Sequence, residues 1–198
     1  MSPNNPKALG LLGGTFDPPH LGHLILAQSA LEELELDQVI FIPASIQPNK
    51  INKDVSSADI RYHMLQLALQ GDPRFAISDI EIAREGISYT ADTLTLLRQQ
   101  YPADEIYLIM GADNVADIAF WKNPEQIFSL CKVAAALRPD YIPAGPFAAR
   151  IKYFEMPLIQ ISSTLIRQRV KEGKSIKYLV PATVEDYILS NGLYRDRQ

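Results

Sequence analysis

Two imidazoles, His20 and His23, close the run Gly13-Gly14-Thr15-Phe16-Asp17-Pro18-Pro19-His20-Leu21-Gly22-His23. At a three-residue spacing they are neighbours on one helix face, so both can donate N–H to a single polyphosphate, and neither needs to be charged to do so. Gly13 and Gly14 lack the Cβ that would hold a phosphate away from the main chain. If a strand ends here and a helix begins, the first amides of that helix lack internal partners and its dipole is positive, which suits an anion. Zinc is disfavoured, since it wants three or four ligands and no Cys or Glu cluster accompanies the pair. A Walker loop is excluded, because no Gly-Lys-Ser/Thr follows.

A second stretch has the same character. Ile161-Ser162-Ser163-Thr164-Leu165-Ile166-Arg167 reads as a helix start with hydroxyls at the cap and an arginine one turn in. Those hydroxyls can meet phosphate oxygens, and Arg167 adds a permanent charge and forked donors. By itself the stretch is ordinary capping beside a solvated arginine. Paired with the first motif it becomes a second phosphate contact.

The elements that must position these groups alternate. Ala8 to Leu12 is apolar apart from Gly10, as in a strand covered on both faces and ending at Gly13, and Leu21, Leu24, Ile25, Leu31 and Leu34 then recur at helical spacing. Gln38 to Pro43 reads as a strand, Ala44 to Ser57 as a polar loop carrying Gln47-Pro48-Asn49-Lys50. A helix follows from about Ala58, with Ile60, Met64, Leu67 and Ala68 inward, and ends near Gly71 and Pro73. Further strands are expected at Phe75 to Ser78, Glu105 to Met110 and Val133 to Leu137, and further helices at Thr90 to Tyr101 and Pro124 to Leu130. This alternation predicts an α/β, Rossmann-like doubly wound parallel sheet of about five to six strands flanked by helices. The whole of 1–198 is expected to form one domain, with a small helical C-terminal segment from about 162. In such sheets ligands bind beyond the carboxyl ends of the strands, where strand order reverses. The first motif, Asn49-Lys50, Gly111-Ala112-Asp113 and Arg138-Pro139 each follow a strand, and so converge.

Composition bounds the partners. A net charge of −4 over 198 residues argues against a broad polyanion-binding surface, hence against long nucleic acid. No apolar run approaches membrane-spanning length, and the first seven residues lack the pattern of a secretory signal. The single cysteine, Cys131, precludes a disulfide framework and sits at a strand entrance where a buried, inert thiol is expected. A cytoplasmic location follows. Oligomeric state is not readable, and a homo-oligomer is compatible with the chain.

The two phosphate motifs together resemble the signatures of the nucleotidylyltransferases that carry a His-x-Gly-His motif. Ser88-Tyr89-Thr90, Gly111-x-Asp113 and Trp121 resemble one branch, the bacterial nicotinate mononucleotide adenylyltransferases, and the likeness runs from Leu9 to Tyr194. That resemblance implies AMP transfer from ATP to nicotinate mononucleotide, giving deamido-NAD and pyrophosphate, with Mg2+ on the polyphosphate and no dedicated protein ligand set for it. It implies that His20, His23 and Arg167 are catalytic. Gly13, Gly14, Thr15, Phe16, Ser162, Ser163 and Thr164 would join them in binding ATP. Asn49, Lys50, Tyr89, Thr90, Gly111, Asp113, Trp121 and Arg138 would bind the mononucleotide, with Thr90 at the nicotinate carboxylate and Trp121 on the pyridine ring.

The chain departs from that pattern twice. Asn49 stands where the family usually has histidine, which leaves the charge there to Lys50; Lys122 stands where tyrosine often follows the tryptophan. Lys122 can reach the nicotinate carboxylate or lie in solvent. A pantetheine-phosphate type of transferase is the nearest rival reading, and a non-catalytic nucleotide sensor the one from another class.

Overall fold

The computed structural model describes residues 6–47, 55–137 and 143–195. Asn49, Lys50 and Arg138 lie outside the described residues. Six parallel strands form one sheet: β1 (Ala8–Gly14), β2 (Gln38–Pro43), β3 (Phe75–Ile77), β4 (Glu105–Gly111), β5 (Lys132–Ala136) and β6 (Ile151–Phe154), in the order β3-β2-β1-β4-β5-β6. Successive strands run outward from β1 in one direction and then, from β4, in the other. The reversal therefore lies between β1 and β4, and ligand space opens above their carboxyl ends.

Alternate residues of each strand serve opposite faces. Leu9 and Leu11 of β1, Ile40 and Ile42 of β2, and Ile106, Leu108 and Met110 of β4 pack with Ala91, Leu94 and Leu97 of α4 (Thr90–Gln100) and with Ile127 of α5 (Pro124–Leu130). On the other face Leu12, Val39, Phe41 and Ile109 meet Ala27, Ala30 and Leu31 of α1 (Leu21–Glu33) and Leu65 and Leu69 of α2 (Ala58–Leu69). Small residues on α1 let that helix lie close to the sheet, so its buried side centres on Ala27 and Ala30.

Strand β1 continues one residue past Gly13, because Gly13 and Gly14 still pair with Ile42 and Pro43. The strand expected at Val133 to Leu137 begins and ends one residue earlier. Two short elements have no expected counterpart: the edge strand β6 and the five-residue helix α3 (Ile80–Arg84). The inward face expected for α2 also needs correcting. Leu65 and Leu69 face the sheet, whereas Met64, with Ile60, Leu67 and Ala68 beside it, packs against the C-terminal helices α6 (Ser163–Lys171) and α7 (Ala182–Ser190). There Ile166, Val170, Val184 and Ile188 complete a third apolar cluster. Helix α2 is thus covered on two sides, and the C-terminal segment is clamped to the sheet through it.

Cys131 is buried, its Sγ lies 3.3 Å from the Ile127 carbonyl, and burial pushes the thiol up to about 12. It is chemically quiet at neutral pH. Among the described residues, no helix is long and apolar enough to cross a membrane.

Candidate active site

From β1 the chain turns sharply at Phe16, which has a left-handed φ of 53°. That turn drives the Phe16 ring beneath the loop, where it is almost fully buried and meets the His23 ring edge-on, centroids 4.9 Å apart. A Cβ on Gly14 would lie 2.9 Å from the Phe16 ring, so Gly14 is glycine to admit that ring. A Cβ on Gly13 would meet nothing within 4 Å, and this is the position open to a ligand. Phe16, expected among the ATP contacts, supports the loop from below and does not line the cavity. Thr15 is likewise drawn aside, donating its hydroxyl to Gln47 Oε1 at 2.6 Å.

His20 caps α1 with extended backbone. Its N–H donates to His23 Nδ1 at 3.2 Å, which places the proton of a neutral His23 on Nε2 and makes that atom a donor. The two rings stack with centroids 3.6 Å apart. His20 is only 6% exposed, its Nδ1 has no hydrogen-bond partner, and burial lowers its pKa to about 4. It is neutral at physiological pH, when an imidazole can donate one N–H but carries no charge. Gly22 makes this arrangement possible, since a Cβ there would stand 3.1 Å from His20 Nδ1. The free amides expected at the start of α1 are fewer than the sequence suggests: Leu21 N–H donates to the Leu179 carbonyl at 3.0 Å. The His20 and Leu21 amides are therefore both engaged within the protein.

The second motif docks directly onto the first. Ser163 Oγ donates to the Pro18 carbonyl at 2.8 Å, and Arg167 donates to the Asp17 carbonyl at 2.7 Å. Ser162 caps α6, its Oγ accepting from Leu165 N–H at 3.1 Å. These contacts bring Ser162, Ser163, Thr164 and Arg167 to the wall of the same cavity as Gly13, Gly14, His20 and His23; its volume is about 870 Å³.

The far end of that cavity is built by α4 and the turns after β4. Ser88 is tied to the loop after β2, its Oγ accepting from Ser45 N–H at 3.0 Å and its N–H donating to the Ile46 carbonyl at 2.8 Å. Tyr89 and Thr90, at the start of α4, are thereby fixed on the cavity wall. Gly111 ends β4, and Asp113 lies in the 3-10 turn Ala112–Asn114 that follows. Buried Val115 and Ile118 anchor this region, so that Trp121 both packs against the core and lines the cavity.

A buried polar network beneath the loop draws on residues far apart in the chain. Asp17 is 2% exposed, and its carboxylate accepts from Tyr194 Oη at 2.7 Å and from Ser56 N–H at 3.2 Å. Arg61, equally buried, donates to the carbonyls of Thr15, Ser56 and Ser45 at 2.9, 2.9 and 3.2 Å. Burial pulls Arg61 below its usual value while Asp17 and Tyr194 hold it up; burial and the Asp17 charge push the Tyr194 phenol up. The loop that presents the histidines is thus pinned from beneath by Arg61, Asp17 and Tyr194. Among these, only the arginine's place between apolar positions of a helix was open to notice in the sequence.

Comparison with known proteins gives one account. Residues 11–169 match the family described as cytidylyltransferase-like. A probable nicotinate-nucleotide adenylyltransferase of Thermomicrobium roseum is 45% identical over 197 residues, covering 94% of this chain and 91% of its own. The nicotinate-nucleotide adenylyltransferase of Bacillus subtilis is 39% identical over 188 residues, covering 95% and 98%. A Plasmodium falciparum nicotinic acid mononucleotide adenylyltransferase solved in complex with NaAD shares the fold, with a TM-score of 0.77 at 19% identity, covering 95% of this chain and 97% of that one.

Proposed function

We propose, from the premise that this chain belongs to the cytidylyltransferase-like family and to its nicotinate-nucleotide adenylyltransferase branch, that it transfers AMP from ATP to nicotinate mononucleotide, giving deamido-NAD and pyrophosphate in NAD biosynthesis. The observation that carries this reading is the single cavity holding two docked phosphate motifs at one end and Tyr89, Thr90 and Trp121 at the other. Polyphosphate belongs at the first end and a ring-bearing acceptor at the second.

In this reading a phosphate oxygen of the mononucleotide attacks the α-phosphorus of ATP in line. The bond from that phosphorus to the bridging oxygen breaks as the new one forms, and pyrophosphate leaves with its electron pair. The acceptor is already anionic, so alignment and charge stabilisation are what the protein must supply. His23 Nε2–H and the neutral His20 donate to phosphate oxygens, and Arg167 with Ser162, Ser163 and Thr164 holds the departing β- and γ-phosphates. Gly111 and Asp113 meet a ribose, Thr90 reads the ring carboxylate, and Trp121 stacks on the pyridine. Magnesium enters as part of the substrate, on the polyphosphate. The donors converging here are N–H and hydroxyl groups, and the described residues contain no group of three or more His, Cys, Asp or Glu set to hold a metal.

The test is pyrophosphate release from ATP and magnesium with nicotinate mononucleotide, nicotinamide mononucleotide or pantetheine phosphate as acceptor. Fastest turnover with the nicotinate form is expected. Transfer to pantetheine phosphate with none to nicotinate mononucleotide would overturn the reading.

A further inference from the structure

At the ring end of the cavity several of the described side chains are acidic. Glu81 and Asp117 line this region, and Asp92 stands in the first turn of α4, two residues beyond Thr90. Among the described residues that line the cavity, the cations are Arg167, tied to the phosphate end, and Lys122. Lys122 does not lie loose in solvent: its Nζ sits 2.9 and 3.2 Å from the two Asp92 carboxylate oxygens and 4.5 Å from the centroid of the Tyr89 ring. It thus ties the turn that carries Trp121 to Tyr89, just before α4, and to Asp92 in the first turn of α4.

We propose that the Lys122–Asp92 pair sets the preference between an acid and an amide on the pyridine ring, Lys122 supplying the positive charge that lets a carboxylate approach the start of α4. The inference rests on the proposed function. One N–H donor can be met by the oxygen of either substituent, whereas the second atom is an acceptor in the acid and a donor in the amide, and the start of a helix favours the anion further. What Lys122 adds to that discrimination is net charge. With Lys122 in place Asp92 is neutralised, and an incoming carboxylate finds a cation within reach of a flexible four-carbon stem. Without it, the carboxylate meets Asp92 and Asp117 uncompensated, and the neutral amide gains by comparison. The same exposure that makes an isolated surface pair weak leaves Lys122 free to swing from Asp92 to substrate at small cost.

A unit charge at about 6 Å, in surroundings between bulk water and a protein surface, alters affinity about tenfold. Lys122→Met should therefore lower the ratio of kcat/KM for nicotinate over nicotinamide mononucleotide about tenfold, mainly through KM for the acid, and the ratio of their directly measured affinities by a similar factor. Lys122→Arg should keep the ratio within about threefold of the parent, and Asp92→Asn should raise it. Thermal unfolding of each variant reports whether the fold is intact. A folded Lys122→Met protein whose ratio stays within about twofold of the parent would overturn the proposal. So would equal losses for both mononucleotides, which would make the pair a tether for the Trp121 turn. If the parent protein transfers AMP to neither mononucleotide, the functional reading fails instead, and the two affinities still report whether Lys122 discriminates acid from amide.

Discussion

Gly22→Ala isolates the placement of one imidazole from the stability of the fold. The new Cβ would stand 3.1 Å from His20 Nδ1 and 3.2 Å from its Cε1, against an ordinary separation of about 3.5–4.0 Å, so the ring must yield by roughly 0.4–0.9 Å. Retreat onto His23 is closed, because that ring is stacked with its centroid 3.6 Å away. Misplacing a reacting group by 1 Å costs about 10²-fold, so half that displacement should lower kcat about tenfold. Stability should move little: alanine in place of glycine in a helix gains up to about 1 kcal/mol, offset by a similar strain. Steady-state pyrophosphate release measures the first quantity and urea unfolding the second. A variant with parental kcat, or one whose activity loss merely tracks unfolding, would show that His20 placement does not depend on Gly22.

Two further expectations concern the groups beneath and within the loop. Tyr194→Phe removes a 2.7 Å hydrogen bond to the buried Asp17 carboxylate and should cost about 1.5–3 kcal/mol in denaturant unfolding; a change under about 0.5 kcal/mol would refute the pinning role. His20, lowered by burial to about 4, stays neutral in the folded protein where the unfolded chain takes up a proton. Its penalty is absent above about pH 6.5, grows as pH falls, and is complete below about pH 4, for a total of about 3 kcal/mol. Stability against pH should therefore slope more steeply between those values in the parent than in His20→Asn, and parallel slopes would contradict it.

What could be read from the sequence followed from periodicity and local chemistry. Strand β2 and helix α5 lie where their residue patterns put them, since apolar runs and a proline at the first helical position are local signals. The joint at Gly13 and the start of α6 follow from glycines, caps and spacing, whereas the docking of one on the other, across 145 and 150 positions, does not. The edge strand β6 escaped because four residues with two buried side chains give no pattern to recognise. The support beneath the loop escaped for a different reason. Tyr194 bonds to Asp17 across 177 positions and Arg61 to the Thr15 carbonyl across 46, and no spacing rule links residues that far apart. The two glycines of the first motif also divide their work in a way only geometry reveals, Gly14 making room for Phe16 and Gly13 for a ligand.

The Tyr194–Asp17 bond also orders events during synthesis. A ribosome adding about 5–20 residues per second needs roughly 10–35 s to travel from Asp17 to Tyr194. Through that interval β1 can pair with β2 and, later, with β4, while the carboxylate of Asp17 waits in water without its phenol and the loop above it is unpinned. Arg167, 150 positions on from Asp17, arrives before Tyr194 does. Every strand of the sheet, β6 included, thus precedes Arg167 and Tyr194 in the chain, and the loop is held in its final place only when these last residues fold back onto it.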